Sequence, residues 1–115
     1  MLYTKNANVT TTDVASIVTV PNGYVAHWSM LFISNLGGST GDATVFVDKA
    51  DGTDLYIIGG SNISAKDYVL FSDAVVVLQP GDIIKCSTGS AGNMEFVVTF
   101  DLLEAPATFV NFNGA

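Results

Sequence analysis

The chain has 115 residues, with 11 acids against 4 Lys and no Arg for a formal net charge of −7, so it is about one domain long and lacks the basic side chains that tracking a nucleic acid requires. One Cys and one His leave no internal disulfide, no zinc cluster and almost no repertoire for nucleophilic catalysis. Val, Ile and Thr supply 32 residues, a composition suited to strands, and 49% hydrophobic against 13% charged residues is sparse charge for a freestanding surface, which points to self-association.

Residues 1–12 are polar and Thr-rich and read as an extended N-terminal arm. The start lacks the basic and then apolar stretch of a secretory signal, and no run approaches a membrane span. The expectation is a soluble product of the cytoplasm, in which Asn8-Val9-Thr10 and Asn62-Ile63-Ser64 occur by chance rather than as glycan acceptors. Val14 to Val20 alternates, with Val14, Ser16, Val18 and Val20 on one face, and stops at Pro21-Asn22-Gly23. Tyr24 to Ile33 is the longest strand. One face carries Tyr24, Ala26, Trp28, Met30 and Phe32 and reads as core; the other carries Val25, His27, Ser29, Leu31 and Ile33. The second face starts mixed and turns apolar, so His27, Leu31 and Ile33 are expected at a contact with a neighbouring subunit.

After a Gly/Ser/Thr-rich loop over 35–41, Ala43 to Lys49 sets Val45 and Val47 against Thr44, Phe46 and Asp48. Ala50-Asp51-Gly52-Thr53 closes a hairpin, because Asp-Gly tolerates the positive φ of a primed turn. Leu55 to Ile58 returns and Gly59-Gly60 breaks it. Tyr68 to Phe71 and Val75 to Leu78 follow as separate strands. Gln79-Pro80-Gly81-Asp82 fits a type II turn, with Asp82 bonding inside it. Ile83 to Thr88 leaves that turn, and in the last strand Met94, Phe96, Val98, Phe100 and Leu102 face one way. About eight short strands with regularly spaced turns predict an all-β fold, an antiparallel β-sandwich of jelly-roll or other Greek-key type over residues 13–104. An apolar tail over 105–115 carries Phe109, Val110 and Phe112. It either packs on its own sandwich or reaches into a neighbour as an anchored arm.

Few residues carry chemistry. His27 has no nucleophile or orienting group paired with it in the pattern, and reads as a sheet or interface histidine. Cys86 reads as a small buried hydrophobe, since its neighbour Lys85 points to the opposite face. Asp48, Asp51 and Asp54 offer weak candidate ligands for a hard cation, but fit better as acids bracketing a turn. No cofactor is expected. Tyr24, Trp28, Tyr56 and Tyr68 are the aromatics from which a sugar-stacking platform could be built, although Trp28 falls on the core face.

The order of elements carries a resemblance over about two thirds of the chain. Leu31-Phe32-Ile33-Ser34-Asn35, a Ser/Thr/Gly gap, Ala43-Thr44-Val45-Phe46-Val47, the Asp-Gly hairpin, the short strand at Tyr68 and the run from Val76 to Ile84 resemble small β-sandwich structural proteins of tailed bacteriophages. These include capsid decoration and tail-associated components. Strand-Gly-Asp-strand patterns also occur in cupins and tumour-necrosis-factor-like jelly rolls, but cupin metal chemistry needs several His. The resemblance implies a virion part with no active site, made in the host cytoplasm. It would associate with itself as a dimer or trimer and bind a major capsid or tail protein, most simply as capsid cement. A tail or collar position and a carbohydrate- or receptor-binding module are the alternatives.

Overall fold

Among the described residues, alternating apolar residues separated by turn residues resolve into eight strands: β1 (Leu2–Val9), β2 (Ala15–Thr19), β3 (Tyr24–Asn35), β4 (Gly41–Asp48), β5 (Asp54–Ile63), β6 (Tyr68–Leu78), β7 (Ile83–Thr88) and β8 (Met94–Glu104). The computed structural model describes residues 1–90 and 92–105, so the predicted contact residues Phe109, Val110 and Phe112 lie outside the described residues. The strands form two four-stranded sheets, ordered β1-β8-β3-β6 and β2-β7-β4-β5. Every pairing is antiparallel. Apart from the β4–β5 hairpin, each strand passes to the opposite sheet, which makes the sandwich a jelly roll.

The core lies between the sheets. β8 supplies it most regularly, with Met94, Phe96, Val98 and Phe100 all buried, because period-two alternation sends every second side chain inward. From β4 come Ala43, Val45 and Val47, and from β7 Ile84 and Cys86. Buried polar side chains hold both ends. Asp82 accepts the amides of Ala50 at 2.9 Å and Gln79 at 2.8 Å, while its own carbonyl accepts the Val20 amide at 2.9 Å. Asn35 donates to the carbonyls of Ser39 and Ile63, both at 2.9 Å, and accepts the Gly37 amide at 2.9 Å. Asp82 therefore does more than close its own turn, which has the predicted form: Gly81 sits at φ +88° and the Asp82 amide donates to Gln79.

Several expectations are corrected. β3 changes face midway: Trp28 is opposite Phe100 and Met30 is opposite Thr99, so Ser29 is an extra residue, a β-bulge. One inserted residue inverts every later side chain. Leu31 and Ile33, expected at an outer contact, are therefore core residues at 3% and 0% exposure, while Met30 and Phe32, expected in the core, are half-buried on the outside. The Trp28 indole N–H closes the bulge by donating to the Met30 carbonyl at 2.8 Å.

The polar arm is a strand. Leu2 to Val9 pairs along β8 from Asp101 to Met94, with Asn6 donating to Glu95 and Asn8 to Asn93, both at 2.7 Å. Cross-strand polar pairs hold its outer side, and Tyr3, stacked on Phe100, with Ala7 and Val9 hold its inner side against the core. Gly59-Gly60 does not end β5; Gly60 at φ +76° sits where the register with β4 shifts. The two expected strands over 68–78 are one, β6. At the β4–β5 tip, only Gly52 has positive φ, +93°, and Lys49 bonds Thr53 across a three-residue loop. The hairpin is thus a type I turn with a left-handed Gly, instead of a primed two-residue turn. In β2 a bulge between Ser16 and Val18 leaves Val14 exposed and buries Ile17 and Val20.

Candidate functional site

Side chains standing opposite one another in a sheet share a face, so the registers define rows across the outside of the β1-β8-β3-β6 sheet. One row joins Phe32 to Leu70 on β6 and Val97 on β8; another joins Val25 to Leu103; a third joins His27 to Val77 and Asp101. Leu70 is 53% exposed, Val77 46% and Tyr68 59%. The Tyr68 ring stacks on Phe32 with centroids 5.4 Å apart. These residues form an apolar surface over β3 and β6, while the β1 side carries Thr4, Asn6 and Asn8. Apolar side chains gathered on one outer face make it the candidate contact surface.

The outer face of the β2-β7-β4-β5 sheet is polar. Lys85 pairs with Asp48 at 2.7 Å, the Asp42 carboxylate accepts the Gly89 amide at 2.7 Å, and Thr44 and Ser87 stand opposite each other. It also carries Ile83, opposite Asp48, and Tyr56 stacked on Phe46 at 5.2 Å. Between the edge strands β5 and β6 lies an apolar cavity of about 70 Å³, lined by Trp28, Met30, Leu31, Ile57, Ile58, Phe71 and Val76.

His27 stands on the apolar outer face, half-buried between Val77 and Asp101. The Asp101 carboxyl is held below the usual carboxylate range first by a hydrogen bond from the Met1 ammonium at 2.8 Å, with a smaller contribution from His27. Cys86 is buried, and desolvation pushes its thiol up to about 12, so it stays protonated at neutral pH.

The structure does not gather the three hairpin acids into a cation site. Asp48 is engaged by Lys85, and Asp51 accepts both the hydroxyl and the amide of its own turn's Thr53 at 2.6 and 3.0 Å. Those bonds hold the Asp51 carboxyl below its usual range. Among the described residues no group of three or more His, Cys, Asp or Glu is placed to hold a metal. The aromatic platform is likewise dispersed: Trp28 is buried, Tyr56 lies on one sheet and Tyr68 on the other. Met30, Phe32, Leu70 and Val77 are the surface residues that the sequence pattern did not single out. The signal was the apolar character of both faces of the Tyr24–Ile33 run, whose assignment to the two sides depends on the bulge.

No protein-family model matches the sequence, and no curated protein matches it. Solved structures do match in fold. A chain of the acidic stable capsid structure of Helicobacter pylori bacteriophage KHP30 superposes with a TM-score of 0.62 at 14% identity, covering 91% of this chain and 93% of that one. Drosophila NLP-core, whose structure concerns pentamer formation and histone binding, superposes at 0.53 and 11% identity, covering 90% of this chain and 99% of that one. At these identities the likeness is one of fold, and the mutual coverage means that both neighbouring chains are of about this length.

Proposed function

We propose that this chain is a non-enzymatic structural protein of a virion, which self-associates and seats its apolar outer face on a larger assembly, as capsid decoration or cement on a phage head. The observation that carries the reading is the apolar surface formed by Phe32, Leu70, Val77 and Tyr68 on one sheet, set against the polar outer face of the other. Two-sidedness of this kind suits a protein that lies on a shell: one face makes the contact, and the other carries the acids Asp42, Asp48 and Asp54 toward solvent, where they repel released genomes. Both fold neighbours above belong to structures described for assembly, a capsid and a pentamer. A tail or collar position uses the same surface. The reading assigns no catalytic step to Cys86 or His27.

Gold-labelled antibody against the purified chain, applied to particles sedimented from cultures of the source organism, tests it. Label spread over heads is the expected result, and label confined to tails or collars selects the alternative position. Chain found only in the supernatant, with no label on particles, refutes the virion reading. Retention on a glycan array that is lost with Tyr68→Ala would instead favour a carbohydrate- or receptor-binding module.

A further inference from the structure

The apolar tail has no part in the virion reading, yet the sandwich has a place for it. At one corner the core is left open. Tyr3 lies on the inner side of β1 with Ala7 and Val9, and its ring stacks on Phe100 with centroids 5.7 Å apart, but it is 39% exposed. Leu102, the last inward-facing residue of β8, is only half-buried, as is Val18 on β2. With Thr19, Pro21 and Phe100 these side chains line an apolar groove of about 240 Å³, at the edge where β1 and β2 meet across the layers. A cavity of ~150 Å³ with apolar walls takes a benzene ring, so the groove has room for one aromatic side chain and part of a second.

Ala105, the last of the described residues, lies beside this groove. Its amide donates to the Gly23 carbonyl at 2.8 Å, two residues from Pro21, and Leu102 is three residues back along the chain. At about 3.4 Å per residue these walls stand roughly 7–10 Å from Ala105. Ten residues follow, Pro106 to Ala115; fully extended, Phe109 reaches up to ~14 Å from Ala105 and Phe112 up to ~24 Å. The apolar cavity between β5 and β6 is farther off. Its Trp28 pairs with Phe100, five residues back along β8, and it opens two strands away at β6, which sets it roughly 20 Å from Ala105, beyond the reach of Phe109.

We infer that residues 106–115 fold back on their own chain and seat Phe109, with Phe112 after it, in this groove, covering Tyr3, Val18 and Leu102 and closing the sandwich between β1 and β2. Where the segment starts and how far it reaches select it as the occupant. Its chemistry agrees: Pro106 cannot donate to a ladder and so turns the chain out of β8, and no residue from 106 to 115 has a charged side chain, so burying the segment desolvates no side-chain charge. Tethering selects the chain's own tail over a neighbour's, because a short linker holds the segment at an effective concentration on the order of millimolar. The tail so placed serves the fold and leaves subunit contact to the outer face, whether or not the chain belongs to a virion.

Photo-crosslinking on the full chain tests it. Phe109→p-benzoylphenylalanine is prepared in heavy-isotope-labelled and unlabelled form, and the two are mixed in urea, refolded together and irradiated. Mass spectrometry is expected to find residue 109 joined to peptides holding Tyr3, Val18 or Pro21, with heavy and light never combined in one product. Products that combine them place the tail on a neighbouring copy and overturn the choice of occupant. Products at Val25, Leu70 or Phe71, or no cross-linked product at all, overturn the groove. Urea titrations of Tyr3→Ala, Phe109→Ala and the double variant read the same contact without a cross-linker. Each single change is expected to raise the unfolding constant about tenfold, and the pair to fall short of the product of the two by about fivefold or more. Effects that simply multiply would show that the two rings do not touch.

Discussion

The two sheets contribute to one core, yet finish their outer faces in opposite ways. On the β1-β8-β3-β6 sheet, the rows through Phe32 and Val77 continue apolar chemistry into solvent; on its counterpart, Lys85, Asp48 and Asp42 are engaged in bonds on a polar surface. Packing cannot account for the difference, since a two-layer sandwich asks only that one face of each strand be apolar. The second face is free to be set by what lies against it, and under the proposed function the apolar side is the one that makes contact.

The strongest way to break the comparison is to place the same charge on each face. Phe32→Lys, in the middle of the apolar rows, is expected to abolish co-sedimentation with the particle fraction, whereas Thr44→Lys on the polar face leaves it unchanged. Equal loss from both would mean that the faces are not functionally distinct. Circular dichroism of each variant separates lost contact from lost fold.

Next in size is the contrast between a buried and an exposed acid near the β4–β5 hairpin. Asp82→Ala leaves the Ala50 and Gln79 amides without their acceptor in a site that is 1% exposed, so it should cost about 2–4 kcal/mol. For a domain of this size that is a Tm lower by ~10–20 °C. Asp54→Ala, on the exposed end of β5, should stay within about 0.5 kcal/mol. Urea titrations of the two variants check this. A small effect at Asp82 would show that water replaces its acceptor role.

Much of this architecture was legible in the sequence. Where one face of a strand is buried and the other solvated, as in β8, period-two alternation names the core residues directly, and the Pro80-Gly81 turn is equally readable. Harder to read was anything set by pairing between strands distant in the chain. The Ser29 bulge exists only relative to Thr99 and Phe100, and without it Leu31 and Phe32 exchange sides. The inner period of β1, Tyr3, Ala7 and Val9, is interrupted by Lys5 and masked by the polar residues that meet Glu95, Asn93 and Thr99, so its residues look like an arm. Leu31 and Ile33, expected at an outer contact, are core residues, and the apolar residues on the outside of β3, Met30 and Phe32, follow from the inverted register. The hairpin acids matched a spacing for cation ligands, yet spacing does not reveal that Lys85 and Thr53 already engage two of them.

A third test concerns the shared core rather than either face. Cys86 is fully buried, with its thiol near 12, so alkylation by iodoacetamide at about pH 8 should be negligible in the folded protein and rapid in urea. Fast labelling without denaturant would mean that the sheets separate readily at β7, and that the outer faces cannot be treated as fixed surfaces.

The smallest effect lies on the apolar face, where Asp101 shares a row with His27 and Val77. Its folded-state carboxyl titrates below the ordinary value of 3.8, chiefly because the Met1 ammonium donates to it. A depressed folded value adds stability that is fully present above the unfolded pKa and disappears as pH falls through the folded one. Asp101→Asn should therefore show a slight Tm deficit near pH 6, constant down to about pH 5, that closes below the ordinary carboxylate range. Asp51→Asn at the hairpin tip follows the same course, since the Thr53 hydroxyl depresses its carboxyl too. Both groups are exposed and screened, so the two deficits should be alike, even though one group lies beside the apolar surface and the other at the polar sheet's tip. A markedly larger deficit for Asp101→Asn would show that the apolar rows shield its bond from water, and so extend the asymmetry of the two faces to their electrostatics.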